Sequence, residues 1–273
     1  MTGSRKPIRE NRGEANTSLW TEALFAAELL LLHATPVYYG LGAPRGDNSG
    51  VVIIPGFLGT DIYLTEMYAW LGRIGYRPYF SGIGLNAECP NLLIQRRLNS
   101  TMERALSETG RKVHLIGHSL GGIIARSVAG QRPRDVASVI TLGATFRGTV
   151  AHSSVLRAAE FVRARILKEH GPGVLPGCYT GHCTCDFLDS LKRKIPASVL
   201  QTAVYTRDDG IVDWRYCITN NPKWDFEVSG THIGLAFNPS VYSIIAARLA
   251  EAYSRPTPPP RRKRKVGRRT ARK

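Results

Sequence analysis

The 273-residue chain contains no apolar run long enough to cross a bilayer. Its longest, "ALFAAELLLLH" from Ala23 to His33, is interrupted by Glu28 and is far short of the roughly twenty residues a membrane helix needs. No stretch near the start has the basic, apolar, small-residue order of a secretion leader, so the compartment is unspecified and the cytoplasm is the default expectation. Internal repeats are absent. Cysteine is sparse and odd in number, five residues at positions 89, 178, 183, 185 and 217, which leaves free thiols and one or two disulfides both open. Acidic residues are missing from Ser254 to Lys273, a stretch that holds ten Lys or Arg. That tail accounts for ten of the sixteen net positive charges and leaves +6 for everything before it. A basic protein overall is thus an ordinary one with a basic tail.

What is present suits a folded enzyme. An apolar fraction of 43% is ordinary for a globular protein, and the length allows one large α/β domain or two small ones. Residues 1–13 are polar and read as a loose arm, and 254–273 as a disordered tail, with the domain between them at 14–253. Leu19, Trp20, Ala23, Leu24, Ala27, Leu30 and Leu31 recur at three- and four-residue intervals. This spacing predicts an amphipathic helix, capped by Asn16 or Thr17, that packs on the domain by its apolar face. A helix at a substrate entrance or on a membrane surface is the alternative.

"VVIIPGFLG" from Val51 is a β-branched run ended by Pro55 and Gly56, the pattern of a strand buried on both faces in a parallel sheet. Similar runs begin at Tyr76, Lys112, Val136 and Ser198, with a last one at Trp224. Helix-like segments lie between them, over 62–72, 92–107, 119–130 and 241–253. Alternation at this spacing predicts about six mainly parallel strands with helices on both faces. The span 145–195 is too long for one crossover and reads as an inserted cap.

In "LIGHSLGG" a serine, Ser119, stands between Gly117 and Gly121, after a strand-like run and before a helix-like one. Small neighbours let strand and helix meet at the sharp angle that exposes a nucleophile. A serine hydroxyl needs a base and an acid to orient that base. His232, in "VSGTHIGL", is the only histidine beyond the last strand. "YTRDDGIVDW" offers Asp208, Asp209 and Asp213, and Asp209 is preferred because Gly210 permits a tight turn, with Asp208 in reserve. The N–H of Leu120, after the nucleophile, and that of Phe57, with Leu58 second, are the expected donors to an oxyanion.

These residues resemble the α/β-hydrolase lipases and esterases, especially the minimal bacterial lipases and a deacylase-like group with "PGF". "VVIIPGFLG" is similar to their oxyanion strand-loop, "LIGHSLGG" to their elbow, "YTRDDGIV" to their acid turn and "GTHIGL" to their histidine loop. "TLGATFRGT" is similar to the stretch after the following strand. The resemblance implies an α/β-hydrolase fold, activity on small-molecule or lipid carboxylic esters, no cofactor and no metal. Pro55 departs from the His-Gly those lipases commonly carry, and the cysteine-bearing cap exceeds a minimal lipase.

Leu58, Ile62, Tyr63, Phe146 and Leu235, with Phe57, are the expected wall of an acyl or aromatic pocket. "CYTGHCTC" has three cysteines and His182 but no second cluster of the kind zinc sites use, so a disulfide from Cys183 or Cys185 to Cys217 is preferred. "PRRKRKV" resembles a nuclear-import signal, yet the tail reads as solvated, with weak anionic contacts and no specific nucleic acid. A monomeric esterase or lipase is the expectation. The same machinery would serve an acyltransferase, thioesterase or phospholipase, and a non-catalytic binding protein of this fold is the rival from another class.

Overall fold

Val51, Val52, Ile53 and Ile54 are all inaccessible to solvent, and they point alternately to two different apolar clusters. A strand buried on both faces must lie inside a sheet that is covered on both sides. In the computed structural model, which describes residues 12–15, 17–170 and 185–254, that sheet has six strands, all paired in parallel.

In chain order the elements are β1 (Arg12–Glu14), α1 (Phe25–His33), β2 (Gly50–Ile54), α2 (Thr65–Arg73) and β3 (Arg77–Phe80). Next come α3 (Pro90–Leu93), which continues through a wide turn at Ile94–Leu98 into α4 (Asn99–Thr109), then β4 (Val113–His118), α5 (Leu120–Gln131) and β5 (Val136–Leu142). The remainder is β6 (Thr149–Ala151), α6 (Ser153–His170), α7 (Asp186–Lys192), β7 (Leu200–Tyr205), β8 (Asp225–Glu227) and α8 (Pro239–Ser254). The strand order is β3-β2-β4-β5-β7-β8. From β2 the chain winds one way to β3 and then returns to build the other way from β4. The carboxyl ends of β2 and β4 therefore flank the point where winding reverses, which is where open α/β sheets leave a crevice for ligands.

Residues of α2 and α8 cover one face of the sheet with Val51, Ile53, Ile140 and Val204, while α4, α5 and α7 cover the other with Val52, Ile54, Leu115 and Val139. Each strand thus divides its side chains between two cores by the two-residue period of extended chain. The segment expected to be a cap is only partly an addition. Phe187 of α7 is buried in the cluster beneath α5, so α7 is the crossover helix between β5 and β7. The addition lies before it, in β6 and α6.

Three expectations need correction. Arg12 and Gly13, read as a loose arm, belong to β1, which pairs in parallel with β6; residues 1–11 and the tail from 255 lie outside the described residues. Cys217 is a free thiol, so the disulfide from Cys183 or Cys185 to Cys217 does not form. It is buried in an apolar cluster with Ala151 and Val212, whereas Cys185 packs against the cluster on the α5 side. Cys178, His182 and Cys183 lie outside the described residues.

The third concerns α1 and the turn of tight helix before it, Leu19–Leu24. Its apolar face, expected to pack inward, faces solvent: Trp20 is 89% exposed, Leu30 73%, Leu24 59% and Leu31 55%. The inward face carries Glu22, Glu28, Leu29 and Leu32, the two leucines joining the core and the two carboxylates meeting backbone N–H groups. Hydrogen bonding by the buried Glu22 and half-buried Glu28 carboxylates decides which side turns in, against the apolar periodicity. The expected caps differ too. The helix starts after Ser18, the Thr17 hydroxyl makes no hydrogen bond among the described residues, and Asn16 lies outside them. No helix of the described residues is long and apolar enough to cross a membrane.

Candidate active site

Ser119 occupies the single position between β4 and α5, with φ of +52° and ψ of −124°. A non-glycine residue in that region is strained by about 1 to 3 kcal/mol and persists only where its surroundings impose it. Here the Ser119 N–H donates to the Leu142 carbonyl of β5 at 2.7 Å, and its own carbonyl accepts from the Gly122 N–H at 2.9 Å. The neighbouring glycines are required by contact. A Cβ at Gly117 would stand 2.2 Å from the Gly121 carbonyl oxygen, and one at Gly121 would stand 2.3 Å from that of Ile54. Strand and helix close on each other so tightly that only hydrogen fits.

Beyond β7 the chain turns at Asp209. Its Oδ1 accepts from the N–H groups of Ile211 and Val212 at 2.9 and 2.7 Å, and its Oδ2 lies 2.7 Å from His232 Nδ1. Both side chains are almost inaccessible. A carboxylate only accepts, so Nδ1 carries the proton and Nε2 of the neutral ring is an acceptor. Asp208, the reserve, is exposed, and Asp213 accepts from the Arg215 N–H at the start of a short turn of helix. Burial opposes the charged form of His232. The charge and hydrogen bond of Asp209, and after them the charge of Glu22, outweigh it and raise its pKa above the ordinary histidine value.

Among the described residues the Ser119 hydroxyl makes no hydrogen bond to His232; contact between their loops runs through the adjacent histidine. His118 Nε2 is 2.8 Å from the His232 carbonyl oxygen, and the two rings are 4.9 Å apart. A carbonyl cannot donate, so His118 Nε2 carries the hydrogen. Burial first, then the charge of His232, lowers the His118 pKa to about 3, which keeps the ring neutral and leaves Nδ1 bare. The Tyr63 hydroxyl donates to that Nδ1 at 2.8 Å and accepts from the Gly56 N–H at 2.7 Å. One directed chain of hydrogen bonds thus joins the loop after β2 to the loop holding His232, passing through the residue before the serine.

This chain bears on the oxyanion donors. The Gly56 N–H is committed to Tyr63, and the Leu58 N–H donates to the Asn86 carbonyl at 2.9 Å. Asn86 also donates from Nδ2 to the Pro55 carbonyl at 2.8 Å, bracing the loop from the far side. Among the described residues the N–H groups of Phe57 and Leu120 have no protein acceptor. Of the loop residues considered, Phe57 is thus the one with a donor to spare.

The five residues expected to wall a pocket do not form one surface. Leu58 and Ile62 are exposed, Leu235 is fully buried in the core, and the Phe146 ring is covered by the Arg126 guanidinium at 3.9 Å. Tyr63 is placed by its hydroxyl. A cavity of about 360 Å³ lies instead between the chain leading into α3 and the α6 helix, lined by Ile83, Leu85, Leu92, Arg96 and Arg165 among others. Phe57 packs on the same region, against the buried cluster of Ala87, Cys89, Val162 and Ile166, as Leu92 does. Among the described residues no group of three metal-ligating side chains comes together. Sequence reading missed Tyr63 as a hydrogen-bonding residue, His118 and Asn86. Only His118 carried a signal, its place inside the serine motif.

Comparison with known proteins agrees with this architecture. A family profile described as alpha/beta hydrolase fold matches residues 98–169. A triacylglycerol lipase of Burkholderia plantarii is 29% identical over 150 residues, covering 51% of this chain and 42% of its own. One of Pseudarthrobacter phenanthrenivorans is 33% identical over 107 residues, covering 36% and 34%. The chain therefore spans less than half the length of these curated relatives. Among solved structures, that of a metagenome-derived lipolytic enzyme superposes with a TM-score of 0.53 at 16% identity, covering 78% of this chain and 96% of the other. The chain has the α/β-hydrolase fold. Both curated relatives named above are triacylglycerol lipases.

Proposed function

We propose that the protein is a serine hydrolase that cleaves carboxylic esters, of small molecules or lipids, through an acyl-enzyme. The observation that carries this reading is the buried Asp209–His232 pair at 2.7 Å, at the same end of the sheet as a strained, isolated serine. His232 Nε2 takes the Ser119 proton as Oγ bonds to the ester carbonyl carbon, and the carbonyl electrons move to oxygen. The N–H groups of Phe57 and Leu120 receive that charge, each worth roughly 2.7 to 4 kcal/mol in the transition state. His232 then gives its proton to the departing alkoxide, which leaves as alcohol. Water, deprotonated by the same imidazole, attacks the acyl-serine, and the acid is released with Ser119 reprotonated. Asp209 holds the ring with Nδ1 protonated throughout and stabilises the imidazolium.

Support for ester substrates comes from the names of the relatives, triacylglycerol lipases. The test is a series of p-nitrophenyl esters of rising acyl length, run on the parent and on Ser119→Ala, with fluorophosphonate labelling of both. Turnover and labelling by the parent and loss of both in the variant are expected. Hydrolysis that survives the substitution removes the proposal.

A further inference from the structure

The Glu22 carboxylate is 5% exposed, and its partners among the described residues are backbone N–H groups. Its Oε1 accepts from the N–H of Gly210 at 2.9 Å and from that of His232 at 3.1 Å, and its Oε2 accepts from the N–H of Ile233 at 2.8 Å. One buried anion from the segment before α1 thus holds both the turn that carries Asp209 and the loop that carries His232. Glu28, two turns further on, continues the same contact: it accepts from the N–H and the hydroxyl of Thr231 at 3.1 and 2.6 Å. Three consecutive N–H groups, of Thr231, His232 and Ile233, end on these two carboxylates. Consecutive N–H groups converging on an anion form a concavity that suits negative charge, and charge-assisted bonds of this kind are roughly twice as strong as neutral ones.

We propose that Glu22 is a positioning residue for the Asp209–His232 pair: it fixes the separation of their two loops and places a second negative charge beside the imidazole. The inference rests on the serine-hydrolase reading above. The groups facing His232 are Asp209 from the acid turn, Glu22 from the segment before α1 and His118 from the end of β4, with Glu28 one residue away through Thr231. His118 is neutral, so Asp209 and Glu22 are the charges that act. The other polar contacts of His232 are with its own backbone carbonyl's partner, His118, which Glu22 does not touch. Glu22 therefore has an effect separable from that of the Tyr63–His118 chain.

Glu22→Gln keeps the shape but replaces one accepting oxygen with a donor, facing a backbone N–H, and removes the charge. Glu22→Asp keeps the charge but withdraws it by one methylene. The readouts are kcat and KM on p-nitrophenyl butyrate from pH 5 to 9, and the rate of fluorophosphonate labelling, normalised to the amount labelled at completion. For Glu22→Gln we expect kcat lower by roughly 10- to 100-fold with KM little changed, as for a displaced catalytic group. Its acid limb should move to lower pH by at least about half a unit, since a negative charge near the imidazole is lost. Glu22→Asp should lose rate but keep the acid limb of the parent. Parental kcat and an unmoved limb in Glu22→Gln overturn the inference, and so does an Asp variant whose limb shifts as far as that of Gln. If the Gln variant does not fold, a parental labelling rate in Glu22→Asp overturns it and a severalfold slower rate supports it. Ser119→Ala separates the two readings: activity in that variant defeats the hydrolase proposal, whereas its loss, with Glu22 variants unchanged, defeats only this one.

Discussion

The Nε2 atom of His118 lies 2.8 Å from the carbonyl oxygen of His232, and Tyr63 fixes the other ring nitrogen of His118. The residue before the nucleophile therefore restrains the backbone of the proposed base, while Glu22 restrains it from the N–H side. The imidazole is held at three points, two of them through the main chain and one through Nδ1.

Tyr63→Phe removes the acceptor of the Gly56 N–H and the donor to His118 Nδ1 together. Each buried group left without a partner costs about 1 to 3 kcal/mol. A lower midpoint in urea with an unchanged slope is expected, along with a drop in kcat as the loop proposed to carry the Phe57 oxyanion donor loses its anchor.

Asp209→Asn and Asp209→Ala should separate orientation from loop structure. The Asn variant can still accept from Ile211 and Val212 through Oδ1 but loses its charge at His232, so activity should fall by about 10³- to 10⁴-fold with the fold retained. The Ala variant also strands two N–H groups and should be less stable by about 1 to 3 kcal/mol for each one left buried. Denaturation and ester hydrolysis measured side by side check both.

The pH dependence follows from the raised pKa of His232. The proposed base would work only when neutral, so kcat/KM should rise with pH through the pKa of the free enzyme, and the acid limb should lie above the ordinary histidine value. His118, with its pKa lowered to about 3, contributes nothing to that limb. A single-proton limb that survives in His118→Asn, measured on whatever activity remains, is the expected outcome.

Ser119→Gly relieves the positive φ while removing the hydroxyl. Releasing about 1 to 3 kcal/mol of strain exceeds the roughly 0.5 to 1 kcal/mol of chain entropy that glycine adds. An inactive protein with a higher melting temperature than the parent is expected. Gly121→Ala should do the opposite and fail to fold stably, because its methyl would press on the Ile54 carbonyl.

The elements that could be read from sequence were those whose residues obey a local rule. "VVIIPGFLG" must be an interior strand, Gly117 and Gly121 must flank a tight turn, and the order of Ser119, Asp209 and His232 follows from where strands end. What escaped reading depends on partners far along the chain. Glu22 and His232 are 210 residues apart, and no periodicity reports that a carboxylate will be met by N–H groups from such a distance. The apolar spacing of Leu24, Leu30 and Leu31 pointed to the wrong side of α1 for that reason. Tyr63 and Leu235 were grouped by apolar character, but a hydroxyl with two partners placed the first and core packing the second. The disulfide to Cys217 rests in the sequence on the absence of a second zinc-type cluster, and burial of the thiol in its own cluster is invisible there.

A Cβ at Gly234 would stand 1.5 Å from a Glu28 oxygen, so the loop bearing the proposed base has been shaped around the helix that precedes the sheet. A shortened chain starting at β2 would retain the whole sheet and every group proposed to touch substrate, yet would leave three amides of that loop open to water. The smallest unit worth grafting or circularly permuting then includes these two glutamates, and residues 19–33 must travel with it.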